Sequence, residues 1–145
     1  MKQFLFLPFA VFILGTTSCN TQRLVVKVND AKKLETYKDN FIGKPLKNFL
    51  AEIKPQIKFV YGNPENTWRE ATGGTYFIFY FISKEEVKKR NSPKNKPTRI
   101  FVQFQLEAVN NRETLTNGSL SKWTKKEAKE YGDMIIMNIR VSGEN

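Results

Sequence analysis

The chain has 145 residues, 40% of them hydrophobic and 13% aromatic, enough apolar material for one core, which excludes a globally disordered polymer. A formal net charge of +10 draws it to anionic surfaces. The lack of any histidine removes the commonest general base and most metal sites.

Met1-Lys2-Gln3 is a short basic start, and Phe4 to Gly15 follows with no charged side chain. A bilayer core needs roughly 20 apolar residues, so the run is too short to span one but suits a signal-peptide hydrophobic region. A buried core helix is the competing reading, opposed by Pro8 and by the position at the start of the sequence. Residues 1–18 are therefore expected to be a cleaved export leader.

The run ends in Leu14-Gly15-Thr16-Thr17-Ser18-Cys19, on the chain's only cysteine. Small residues at Thr16 and Ser18 would also suit an ordinary signal peptidase, but an unmodified odd cysteine is a liability in an exported protein. The Thr17-Ser18-Cys19 ending resembles the lipobox of bacterial lipoprotein precursors, in the relaxed form found in Bacteroidota, with Thr16 where the stricter pattern has Leu. The resemblance implies that Cys19 receives a thioether-linked diacylglycerol, becomes the new N-terminus and is N-acylated. At ~0.8 kcal/mol per buried methylene, several such chains hold a protein to a membrane effectively permanently. Asn20 in place of Asp, and Thr21-Gln22-Arg23 in place of an acidic cluster, imply by the same resemblance the periplasm-facing side of the outer membrane.

Residues 19–29 then form the lipidated N-terminus and a tether or edge strand, with Leu24 to Val28 β-branched and short. Asn29 or Asp30 can cap a helix carrying Ala31, Leu34, Tyr37, Phe41 and Ile42 at helical spacing, closed by Gly43. Pro45 suits the first turn of a second helix, whose stripe is Leu46, Phe49, Leu50 and Ile53. The period then changes to two. Ile57, Phe59 and Tyr61 alternate with Lys58 and Val60 until Gly62-Asn63-Pro64 stops the strand. Glu65 to Gly74 reads as a polar stretch ending in a turn, and Thr75 to Ile82, apolar on both faces, as a central strand.

Ser83 to Glu86 is a capping box opening a short helix, and Ile100, Val102, Phe104 and Leu106 mark a half-buried strand. Asn110 to Ser121 reads as loop, Thr124 and Glu127 as a second capping box, and Met134 to Val141 as the last strand. Residues 30–145 are thus expected to be a single α+β domain, with short helices packed on one face of a four-stranded, largely antiparallel sheet. Helices followed by a small sheet on a short lipoprotein resemble, in architecture alone, the outer-membrane lipoproteins of the SmpA/OmlA type. The phrases Phe41 to Leu50 and Trp123 to Gly132 look like those of small Bacteroidota lipoproteins, and they imply no activity.

Catalytic chemistry finds little footing. The carboxylates Glu65, Glu70, Glu85, Glu86, Glu107 and Glu113 fall in no recognisable constellation, and the pairs Ser83-Lys84 and Ser121-Lys122 are unspecific. No catalytic residue, metal or cofactor is assigned. A basic segment including Lys88, Lys89, Arg90, Lys94 and Lys96 reads as a solvated loop or as an attraction to anionic lipid or lipopolysaccharide. Nucleic acid would suit the charge, but an exported protein rarely meets it. The sheet offers more. If Phe77, Phe79 and Phe81 face the core with the Ile100, Val102, Phe104 and Leu106 row and with Ile135, Met137, Ile139 and Val141, the opposite face carries Tyr76, Ile78, Tyr80 and Ile82 beside Phe101, Gln103, Gln105 and Glu107, with Ile136, Asn138 and Arg140. Tyrosine-bearing faces of this kind favour partner binding. The expected function is a non-enzymatic protein-interaction or envelope-assembly module, the alternative a small envelope hydrolase or inhibitor.

Overall fold

Alternation in four of the strands and two capping boxes account for most of the architecture. The computed structural model describes residues 23–63, 75–90, 95–105 and 119–143. The leader, Cys19, the stretch from Glu65 to Gly74, Lys94, Leu106, Glu107 and most of the Asn110 to Ser121 loop lie outside the described residues.

Five strands form one antiparallel sheet: β1 (Phe59–Asn63), β2 (Tyr76–Tyr80), β3 (Arg99–Phe104), β4 (Ser119–Lys122) and β5 (Ile136–Ser142), in the order β4-β1-β2-β3-β5. Four strands were expected. The fifth, β4, begins within sequence read as loop and ends one residue past it, because its Ser-Leu-Ser-Lys carries one apolar side chain, too little to show a period. Such a short polar strand suits the sheet edge it occupies.

The core face is aromatic. Phe77, Phe79, Ile100, Val102 and Phe104 are fully buried in alternation along β2 and β3, and Val60 joins them from β1. Around Phe77 the rings of Phe79, Phe104, Trp123 and Tyr131 pack edge to face, with centroids 5.0 to 6.0 Å apart. Opposite Phe77 in the ladder stands Gly62, where any Cβ would run into the Phe77 ring. A glycine mid-strand weakens the backbone, but here it makes room for the ring at the centre of the core.

Among the described residues four helices accompany the sheet: α1 (Lys32–Thr36), α2 (Leu46–Ala51), α3 (Lys84–Lys89) and α4 (Lys125–Glu130). Leu34 of α1, Leu46 and Phe49 of α2, and Tyr131 after α4 are buried in the same cluster as Phe77 and Phe79. The long first helix expected up to Ile42 is broken instead: α1 is flanked by two 3-10 turns, Val28–Ala31 and Lys38–Asn40. Tyr37 caps α1 at φ −104° and is exposed, while Ala31, Leu34 and Phe41 still reach the core. Gly43 follows at φ +75°, the left-handed conformation expected of it. Its N–H donates to Ile136 and the N–H of Leu46 to Met134, so the start of α2 is strapped to the start of β5.

Both capping boxes form. The N–H of Ser83 donates to Glu86 at 2.9 Å and that of Thr124 to Glu127 at 2.8 Å. The parity expected of the last strand fails, however. A bulge between Gln103 and Phe104 lets Phe104 pair with Ile136 while Gln103 pairs with Asn138. Ile136 and Ile139 are therefore both buried, and Met137, expected in the core, is 52% exposed.

The chain reaches the helical layer near its start. Val25 forms a parallel bridge with Ile53, its N–H donating to Glu52 and its carbonyl accepting from Lys54 at 2.9 Å. Val25 is thus stitched to the end of α2, outside the sheet, and Val28 opens the first 3-10 turn.

Candidate functional site

Ladder register places the side chains of the sheet's second face in rows. One runs Leu120, Tyr61, Ile78, Phe101 and Arg140 across β4, β1, β2, β3 and β5. On one side of it lies Tyr76, Gln103 and Asn138; on the other, Lys122, Phe59, Tyr80, Arg99 and Ser142. Neighbouring rows interlock through their rings. Tyr76 stacks on Phe101 with centroids 5.3 Å apart, and Tyr61 lies 6.5 Å from Tyr76 on the other side. Tyr61, Tyr76, Ile78, Phe101 and Gln103 are all half-buried, supporting one another while keeping part of their surface in solvent.

Four of the expected face residues, Tyr76, Ile78, Phe101 and Gln103, come together here. Tyr80 does not join the accessible group: it is only 8% exposed, at the end of β2 where both its neighbours carry long side chains, Phe59 and Arg99. Ile136, placed on this face by simple alternation, is turned into the core by the bulge. Tyr61 was legible as a strand residue, yet its place beside Tyr76 depends on a pairing that alternation alone does not supply. Lys122 arrives on the unforeseen β4.

Among the described residues the charge of these rows has one sign: Lys122, Arg99 and Arg140 stand in them and no carboxylate does, while Glu107, expected on this face, lies outside the described residues. Arg99 is held in place by donating from Nε to Ser142 Oγ at 2.9 Å across the ladder. Aromatic rings bordered by cations can accept an apolar surface that carries acidic groups at its margin.

The described part of the basic segment runs along α3 and into the stretch leading to β3. Lys88 and Lys89 are exposed on α3 and Lys96 is exposed in the segment leading to β3. Arg90, the α3 C-cap, donates from Nε to Asn95 Oδ1 at 3.1 Å. Arg99 belongs to the aromatic face.

Several of the described carboxylates have structural work. The Ser83 backbone and side-chain hydrogen bonds hold the Glu86 carboxyl below its usual range. Burial pushes the Glu127 carboxyl up, but its hydrogen bonds with Thr124 outweigh that and leave it lowered. Asp30 is lowered by Lys33 and by the Lys27 N–H, and Glu52 accepts from the Leu24 N–H at 3.0 Å. Among the described residues no group of three or more His, Cys, Asp or Glu side chains could hold a metal ion, and no helix is long and apolar enough to cross a membrane. Compared with protein-family models, characterised proteins and solved structures, the chain matches none.

Proposed function

We propose that this chain is a lipid-anchored envelope protein, attached through Cys19 to the periplasm-facing side of the outer membrane, and that it works as a non-enzymatic docking module. Its partner is an envelope protein that sets an apolar surface with acidic margins against the second face of the sheet. The observation carrying this reading is the ring cluster Tyr61, Tyr76 and Phe101, half-buried, in rows that also carry Arg99, Arg140 and Lys122. Rings pre-packed on a rigid sheet lose little conformational freedom on binding, which favours them as interface anchors. Support for the anchor comes from the Leu14 to Cys19 sequence. The hydrolase alternative finds no support in Glu86 and Glu127, since both are engaged as helix caps.

Two measurements test the two halves. Radioactive palmitate should label the wild type and leave Cys19→Ala unlabelled; an unlabelled wild type overturns the anchor. Crosslinking of intact envelopes should join the wild type to one partner and lose it in Tyr76→Asp with the melting temperature nearly kept. Retention of the partner by a folded Tyr76→Asp protein overturns the docking face.

A further inference from the structure

A second surface feature lies in the helical layer, away from the aromatic rows. Between the end of α2 and the start of α4 is an open cleft of about 520 Å³. Ile53, Ile57 and Trp123 are buried and form its floor, with Leu50, Pro55 and Ala128 as half-buried walls. Its rim is polar: Lys54 and Lys125 are exposed there beside Gln56 and Thr124, and no carboxylate lines it. An apolar trough with cations at its edge is complementary to an apolar chain ending in an anion. Its volume is that of a ligand site, which runs to roughly 300–1,000 Å³.

The covalent path of the chain adds a second observation. Val25 is bonded to Glu52 and Lys54, directly beside this rim. Cys19 lies six positions earlier, so whatever holds it is within about 20 Å of Val25 even along a fully stretched chain. On the reading that Cys19 is lipidated, the tether therefore keeps the cleft at the bilayer surface.

We infer that the α2–α4 cleft binds one acyl chain of an anionic phospholipid from the membrane, with the lipid phosphate at Lys54 and Lys125. The anchor's own acyl chains are the other candidate occupant. They carry no anionic headgroup and so leave the two lysines unexplained. Lipid binding here would seat the helical layer on the membrane and leave the aromatic face of the sheet accessible to a protein partner.

The inference rests on the membrane reading for its biological setting, but binding itself does not need the anchor, so the two fail separately. The test uses the full chain with Cys19→Ala and Trp68→Phe, which leaves Trp123 as the only tryptophan. A lysophosphatidic acid brominated on its acyl chain is titrated below its micelle concentration, and quenching of Trp123 is read. Saturable quenching is expected, and Lys54→Glu and Lys125→Glu should each weaken it about fivefold, the equivalent of ~1 kcal/mol per cation near an anionic lipid. Ala128→Leu should obstruct the cleft and weaken binding as well, while Tyr76→Ser should change nothing. Calorimetry on the chain that keeps Trp68 checks that the tryptophan change has not created or destroyed the site. Equal binding of a brominated monoacylglycerol, insensitivity to the lysine changes or loss of quenching in Tyr76→Ser would each overturn the assignment. So would binding by the Cys19→Ala chain that is absent from the lipidated protein, because the anchor would then be the occupant. Absent palmitate labelling with intact quenching would sink the anchor and leave the site.

Discussion

The two faces of the sheet are built from the same strands, and alternate residues of one chain segment meet opposite environments. On β2, Phe77 and Phe79 are sealed under the helices, while Tyr76 and Ile78 between them stay half in solvent. On β3, Ile100 and Val102 are sealed while Phe101 stacks on Tyr76 at the surface. The difference lies in chemistry as well as burial. Phenylalanine rings with Trp123 and Tyr131 fill the core around Phe77, whereas the second face adds an amide and arginines to its tyrosine and phenylalanine rings. A core needs apolar volume and shape; a surface that meets a partner also needs polar groups that are satisfied when it is free.

Breaking the core side should have the largest effect. Phe77→Ala removes a ring that touches four others and should cost about 3–5 kcal/mol, read as a collapse of the chemical-denaturation midpoint. Gly62→Val presses a side chain against the same ring and should cost about 1–3 kcal/mol by the same measurement. Loss of less than half a kcal/mol in either variant would show that the core is not organised around Phe77.

Helix capping sits between the two faces in magnitude. Thr124→Ala should cost about 1 kcal/mol. It should also flatten the acid response of the protein. The Glu127 carboxyl is lowered from its ordinary 4.5, so the stability it adds is fully present above that pH and is lost as pH falls through the folded value. Thermal melts between neutral and acid pH should show a fall below 4.5 in the wild type and a smaller fall in Thr124→Ala.

The smallest stability change belongs to the second face. Phe101→Ser removes a half-buried stacked ring and should cost about 0.5 kcal/mol, less than Thr124→Ala and well short of Phe77→Ala, while abolishing partner crosslinking. A cost equal to that of Phe77→Ala would mean that the two faces are equivalent and that this one is core.

Much of this contrast is legible in the sequence. Ile100, Val102 and Phe104 alternate so strictly that the buried face of β3 follows from them, and the boxes at Ser83 and Thr124 locate two helix starts. Non-local pairing is what local pattern cannot carry. The bulge at Gln103 and Phe104 turns Ile136 inward and Met137 outward, reversing the start of β5 with no local mark. Likewise, Tyr80 follows the period of Tyr76 and Ile78, yet its place between Phe59 and Arg99 buries it, so Tyr80→Asp would damage the fold as well as the face. The cleft beside Trp123 was invisible for the same reason: its floor combines Ile53, Ile57 and Trp123, which only the folded chain brings together.

The most direct test of the docking face compares two aromatic positions, one on that face and one outside the sheet. A photo-crosslinking phenylalanine analogue is placed at Tyr76, among the stacked rings, or at Tyr37, which is 51% exposed after α1 in the helical layer. Irradiation of intact envelopes should give a discrete protein adduct from position 76 and none from position 37. The same adduct from both positions, or none from position 76 in a protein that is folded and anchored, would contradict it.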